Sequence, residues 1–223
     1  MSEVYQHFRP EEKEFIDQVI AWREYVEDHY SPKLADFLDP RQQYILRAII
    51  GEQNDVQYQF FGGMDQCERK RVLLFPDYYQ PTLEDFEIGL YEVDYPKKFV
   101  QLDHRMILGS ILSLGVKREK FGDIIIHEDR IQFLMDAAME DYIILQLNQI
   151  GKAKVSTKKQ DFAAMLSPNE QWKEKETTTS SLRLDALIAA AFQISRNKAQ
   201  ILIQQGRTKV NWGIMEQPSF ECA

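Results

Sequence analysis

Apolar positions fall into helical and strand-like groups along most of this chain. Within residues 10–30, Phe15, Val19, Ile20, Trp22 and Val26 recur at helical spacing, and Ser31-Pro32 breaks the pattern. Asp39-Pro40 reads as an N-cap followed by proline at the first helical position, which predicts a helix to about Ile50. Strand signals follow at Val56–Phe61 and Arg71–Phe75, with Gly62-Gly63 between them and Pro76 after. From Phe86 the pattern predicts a strand to Val93, a helix over Asp103–Leu114 and strands over Asp123–His127 and Arg130–Met135. A helix from about Asp136 to Asn148 and a strand over Lys152–Thr157 complete the series. That β-α-β-β-α-β order is the ferredoxin-like split βαβ arrangement. Near the end, Leu184, Leu187, Ile188 and Ala191 predict one short helix. Ser195 opens a second, and Gly206 closes it before the alternating Arg207, Thr208, Lys209 and Val210.

The expected fold class is therefore α+β. A helical N-terminal segment spans 1–53 and a ferredoxin-like (RRM-like) domain spans 54–157. Residues 158–180 read as a linker, rich in Ser, Thr and Pro around Ser167-Pro168-Asn169-Glu170 and Thr177-Thr178-Thr179-Ser180. A small C-terminal module fills 181–223. The middle domain carries no aromatic RNP-type signature, so single-strand stacking on its sheet is not expected.

Charge sharpens the reading of the C-terminal module. Residues 1–176 are net −10 and residues 177–223 net +2, giving −8 for the whole chain. A basic island on an acidic chain points to a local nucleic-acid footprint. Its cations are also oddly placed. Arg196 and Lys198 follow Ser195 at once, at a helix end whose partial positive charge disfavours cations by roughly 0.3–1 kcal/mol each. The position three after Ser195 is Lys198, so no acid completes a capping box. A docked phosphate would resolve the conflict, meeting free backbone N–H groups, a hydroxyl and two cations together.

Arg183-Leu184-Asp185, Ser195-Arg196, Ala199, Leu202-Ile203, Gly206 and Val210-Asn211 together resemble the S4 RNA-binding domain. The resemblance implies RNA contacts from Arg183, Leu184, Asp185, Ser195, Arg196, Asn197, Lys198, Gln200, Arg207, Lys209 and Asn211. Thr208 stands where the family usually has valine; both are β-branched and suit a strand. S4 domains usually continue into a further strand bearing a Gly-Asp turn. This sequence reaches Ala223 without it, so the S4 (αL-type) module is expected to be truncated, with an incomplete sheet.

A second resemblance spans roughly residues 35–220. Phe37-Leu38-Asp39-Pro40-Arg41, Gly62-Gly63 with Glu68-Arg69-Lys70-Arg71 and Phe75-Pro76 look like the YlmH family. So do His104-Arg105, Leu108-Gly109, Leu114-Gly115-Val116-Lys117-Arg118-Glu119 and Gly122-Asp123-Ile124. Trp212 and Pro218-Ser219-Phe220 extend the likeness, while Met64 and Cys67 depart from that family's usual Tyr and Ala. The resemblance implies binding to rRNA on the large ribosomal subunit and to tRNA, in ribosome-associated quality control of stalled nascent chains. Members are also labelled cell-division proteins, so division proteins are the alternative partners. Arg69, Lys70, Arg71, His104, Arg105, Lys117 and Arg118 form the expected secondary RNA-binding set. For Lys117-Arg118 the plainer reading is charge compensation just past a helix C-terminus.

Other chemistry is poorly supported. No apolar run approaches the ~18 residues of a membrane span, and Met1–His7 lacks the pattern of a signal peptide. Two distant cysteines make no disulfide framework, so a reducing cytoplasm is the expected compartment. The sole Arg-Leu-Asp lies within the S4-like pattern, unlike the catalytic one of a pseudouridine synthase. The absence of any G-x-G argues against an S4-linked methyltransferase, and nucleotide-binding signatures of an S4-bearing tRNA synthetase are missing too. His7, His29, His104 and His127 show no metal-ligand spacing. The expectation is a non-catalytic RNA binder with no cofactor and no metal; the rivals are a division-associated interaction factor and an accessory to an RNA-modifying enzyme.

Overall fold

The computed structural model describes residues 8–51, 55–167, 174, 176–179 and 181–222. The polar lead Met1–His7 and, from the expected linker, residues 168–173, Lys175 and Ser180 lie outside the described residues. The chain divides into two compact units, Met1–Asn169 and Glu170–Ala223.

In the first unit, α1 (Lys13–His29) buries Val19 and Val26, and Phe15 and Trp22 meet edge to face beside them. It stops at Tyr30, which takes a left-handed conformation (φ 48°) just before Ser31-Pro32. After β1 (Lys33–Leu34) comes α2 (Pro40–Ile50). Its N-cap is reciprocal: Asp39 Oδ1 accepts from Gln42 N–H at 2.9 Å and Gln42 Oε1 accepts from Asp39 N–H at 2.9 Å. Leu46 and Ile50 of α2 pack with α1 onto Val56, Val72 and Leu74. Those three belong to β2 (Val56–Phe61) and β3 (Arg71–Pro76), which form an antiparallel sheet of order β1-β3-β2. The two strands expected to open the middle domain thus build a sheet of their own with the N-terminal helices. Their third partner, β1, is two residues long and leaves no periodic signal.

The second sheet of this unit comprises β4 (Ile88–Asp94), β5 (Phe121–His127), β6 (Arg130–Asp136) and a later edge strand. Between β4 and β5 lies α3 (His104–Ser113), capped by Asp103. After β6, a 3-10 turn over Ala137–Met139 leads into α4 (Glu140–Gln146), shorter than the pattern predicts. A small hairpin, β7 (Gln149–Ile150) and β8 (Ala153–Lys154), precedes β9 (Ser156–Gln160). The order is β5-β6-β4-β9 with every neighbouring pair antiparallel, as the split βαβ arrangement requires. The closing strand falls at 156–160, so the start of the expected linker belongs to the sheet. Its polar sequence, Ser-Thr-Lys-Lys-Gln with only Thr157 buried, is that of an edge strand.

Both faces of this sheet are covered. Tyr91, Val93, Ile131, Phe133 and Met135 meet Ile107 and Ile111 of α3 and Ile143 of α4. On the other face Leu90, Ile125 and Leu134 meet Phe37 and Cys67, with Met64, Met165 and Leu166 alongside. Gln132 fixes the strap that supplies Met165 and Leu166, donating to Ala164 O at 3.0 Å and accepting from Leu166 N–H at 2.8 Å. Gly122 makes room for Phe37: a Cβ there would lie 2.8 Å from the Phe37 ring and 3.0 Å from Leu134 Cβ. Fully burying each such side chain contributes roughly 1.5–3 kcal/mol.

The second unit holds α5 (Leu184–Phe192), α6 (Arg196–Gln204) and the hairpin β10 (Lys209–Val210) and β11 (Gly213–Ile214). Its small core includes Leu184, Ala199 and Ile203. The overall architecture is α+β. Among the described residues no helix is long and apolar enough to cross a membrane.

Candidate nucleic-acid interface

Local sequence sets the ends of the two C-terminal helices. Gln193 takes a left-handed conformation (φ 53°) and ends α5, and Ser195 caps α6, its Oγ accepting from Lys198 N–H at 3.3 Å. At the far end Gly206 adopts φ +65°, with Gly206 N–H donating to Ile203 O and Arg207 N–H to Leu202 O. This is a Schellman closure, which needs glycine at the left-handed position. The tail folds back over the start of α5: Leu184 N–H donates to Phe220 O, Asp185 N–H to Pro218 O, and Cys222 N–H to Leu182 O.

Asp185 organises the surface. Its carboxylate is enclosed, with a relative exposure of 0%. Oδ1 and Oδ2 accept from Arg183 Nε and Nη2 at 3.2 and 3.1 Å, and from Arg196 Nη2 and Nε at 3.1 Å each. Gln200 Nε2 adds a fifth bond at 2.8 Å. The Arg183 hydrogen bonds above all, then those of Arg196, hold the Asp185 carboxyl well below the usual carboxylate range; the pair raises Arg183 in turn. The two guanidinium groups keep 36% and 49% of their side-chain surface exposed. The result is a double-arginine cluster held on one carboxylate, with one net positive charge.

This arrangement corrects two sequence expectations. Leu184 and Asp185 are buried, so neither is a surface contact; Leu184 is core and Asp185 positions the arginines. The charge conflict at the start of α6 is also partly answered from within, because Asp185 supplies a counter-charge to the Arg196 side chain. Ser195, Asn197 and Lys198 stand exposed on the same first turn, and among the described residues Lys198 has no ion-pair partner. Arg207, Lys209 and Asn211 are exposed at the hairpin. Arg207 belongs to the helix closure and the ladder begins at Lys209, so the expected four-residue strand is shorter.

In the first unit most of the expected secondary cluster serves the scaffold. Arg71 is 4% exposed, because β3 is buried along its whole length. Its guanidinium donates to Ala35 O and Glu87 O and faces Asp136 at 3.4 Å and Asp36 at 3.8 Å. Lys120 bridges the same two carboxylates, at 2.6 Å to Asp36 and 3.0 Å to Asp136. Burial would raise the Asp136 carboxyl, but the Lys120 hydrogen bond and the Arg71 charge bring it below its ordinary value. Arg71 is therefore withdrawn from the RNA-facing set.

Arg69 is half-buried and donates to Phe37 O at 2.7 Å and Phe121 O at 3.2 Å. Arg118 converges on the same Phe121 carbonyl at 2.6 Å, and burial, then the Arg69 charge, push its pKa down to about 10. Asp123 pins the approaching loop, accepting from Glu68 and Arg69 N–H at 2.7 and 3.0 Å. Lys70 Nζ donates to Asp65 O at 3.0 Å. His104, Arg105 and Lys117 are exposed, and partial burial followed by the Arg118 charge lowers the His104 pKa. Among the described residues no group of three or more His, Cys, Asp or Glu is arranged to hold a metal ion.

Comparison with known proteins accounts for nearly the whole chain. The family described as "YlmH, N-terminal" matches residues 11–79, "Putative RNA-binding domain in YlmH" residues 81–164, and "S4 domain" residues 182–223. The "Ribosome-associated protein quality control protein P2" of Bacillus subtilis (strain 168) is 46% identical over 220 residues, covering 99% of this chain and 85% of that protein. The chain belongs to the YlmH family. A solved YlmH structure, "Cell division protein ylmH from Streptococcus pneumoniae", is similar with a TM-score of 0.63 and 36% identity. It covers 73% of this chain and 99% of that one. The YlmH models match the first unit and the S4 model the second, so the chain carries RNA-binding-type domains.

Several residues that organise the YlmH scaffold escape sequence reasoning. Asp36, Lys120 and Asp136 surround Arg71 from three separate elements, and no local motif links them. A signal did exist for Arg71 itself: it opens the run Arg-Val-Leu-Leu-Phe-Pro, whose continuous apolar character marks a strand buried on both faces.

Proposed function

We propose that this chain is a non-catalytic RNA-binding protein whose S4 module grips RNA phosphates. In this reading it contacts rRNA, and tRNA beside it, on the large ribosomal subunit during ribosome-associated quality control. The observation that carries it is the Asp185-anchored pair Arg183–Arg196 beside the open first turn of α6. Two guanidinium groups fixed by one buried carboxylate keep donors free on their outer edges, and preorganised arginines suit phosphate oxygens. Lys198, Arg207 and Lys209 add exposed positive charge on the same module. The Bacillus subtilis relative, named for ribosome-associated protein quality control, supplies the cellular setting.

The test is binding to purified ribosomes and ribosomal RNA across a salt series. With about four phosphates engaged, log affinity against log salt should fall with a slope of roughly −3 to −4. Arg196→Ala should flatten that slope by about one and reduce co-sedimentation with the large subunit while the chain stays folded. Affinity independent of salt would overturn the phosphate-grip reading. The name of the Streptococcus pneumoniae relative favours one other reading, a cell-division factor. A pull-down dominated by division proteins and free of ribosomal RNA would establish that one instead.

A further inference from the structure

The tip of the β10–β11 hairpin breaks a backbone rule. Lys209 pairs with Ile214 and Val210 with Gly213, so Asn211 and Trp212 alone close the turn. Both carry positive φ, 48° and 67°, the signature of a type I′ turn. Asn suits its first position. The second favours glycine, because a Cβ in the left-handed region crowds the following carbonyl. Here it holds tryptophan, while the glycine comes one residue later at Gly213, on the strand.

Burial does not explain the choice. The indole is 41% exposed, and among the described residues it stacks on no other ring. It stands on the same hairpin as Asn211 and Lys209, a few residues beyond Arg207. All three are exposed, and neither cation is ion-paired among the described residues. A partly exposed flat side chain at a left-handed position, on a hairpin that also carries an exposed lysine, is the kind of local rule-breaking that points to a ligand.

We propose that Trp212 is a stacking platform for an unpaired RNA base, with Lys209 and Arg207 holding the flanking phosphates. This rests on the reading of the S4 module as an RNA-binding surface. It also supplies what the middle domain lacks: both faces of that sheet are covered, so the aromatic surface for a base lies on the small module instead. Base–aromatic stacking contributes roughly five- to hundredfold in affinity per base and is tolerant of sequence. It displaces no counterions, so its contribution is insensitive to salt, unlike that of the phosphate contacts.

The experiment measures binding of the full chain to purified ribosomal RNA over a salt series, with thermal unfolding in parallel. Trp212→Gly should stay folded, because the relieved turn offsets part of the lost apolar contact. It should bind about tenfold more weakly at every salt concentration with an unchanged log–log slope. Trp212→Phe should recover most of that loss. In a chain carrying Trp22→Phe and Trp172→Phe, the remaining tryptophan emission should be quenched as RNA is added. A Trp212→Gly variant that binds RNA like the wild type overturns the proposal. So does one that keeps its RNA affinity yet leaves the ribosome, which would assign the indole to a protein contact. If Arg196→Ala flattens the slope while Trp212→Gly is neutral, stacking alone fails. If the wild type shows no salt-dependent binding, the phosphate-grip reading and this one fall together.

Discussion

Arg196 reaches across from the first turn of α6 to Asp185 at the start of α5 through two hydrogen bonds of 3.1 Å. The carboxylate that receives it is hidden from solvent, and Arg183 occupies its other approach. Removing the charge while keeping the shape tests this relationship directly. Asp185→Asn replaces two acceptor oxygens by one and leaves two guanidinium groups facing each other without a counter-charge. The expected result is a folded chain whose unfolding temperature is lowered and whose RNA affinity drops roughly tenfold, since the arginines lose their common orientation. Circular dichroism and filter binding on the same preparation would check both halves.

Acid should act on the same carboxylate. Its folded pKa lies below the unfolded value of about 3.9, so the unfolded chain binds the extra proton. The stabilisation is fully present above that unfolded value and fades as pH falls through the range beneath it. Carbon-detected NMR should therefore show Asp185 still ionised near pH ~4, where an ordinary aspartate is half protonated. Arg196→Ala should shift that titration upward. A wild-type Asp185 that titrates in the ordinary range would contradict the geometry.

A contrasting outcome is expected at Arg71. Its guanidinium is buried beside Asp136 and Asp36, so Arg71→Ala removes a scaffold contact rather than a ligand contact and leaves both carboxylates to Lys120 alone. Losing one partner of a buried pair costs about 3–5 kcal/mol. Urea denaturation should show that loss. RNA binding by whatever fraction stays folded should keep the wild-type salt slope.

Gly122 offers a packing test free of charge effects. A methyl group there would meet the Phe37 ring at 2.8 Å. Gly122→Ala is expected to destabilise the first unit by about 1–3 kcal/mol through overpacking. The double change Gly122→Ala with Phe37→Leu should recover part of the loss, and thermal unfolding would report the recovery.

Much of this structure can be read from the amino-acid order, for reasons that also explain the misses. Strands β4, β5 and β6 are seven residues each and mainly apolar, and Asp39, Asp103 and Ser195 announce their helices by side-chain chemistry. Capping logic, however, looks only along one helix. It finds Lys198 three residues after Ser195 and cannot see that Asp185 arrives from the preceding helix. A run of three cations likewise reads as a surface patch until β3 carries Arg71 inward. The closing strand β9 falls later than the expected Lys152–Thr157 because Lys158 and Lys159 resemble linker residues, and their pairing with Glu92 and Tyr91 is a long-range fact.

The packing on the second face of the middle sheet bears on how this chain can be cut. Family boundaries fall between residues 79 and 81, yet Phe37, Met64 and Cys67 lie on one side of that divide and Leu90, Ile125 and Leu134 on the other. A fragment starting at residue 81 would surrender half of that shared interior and expose a greasy plane to solvent. The family boundary is a boundary in sequence, and the packed interior runs straight across it.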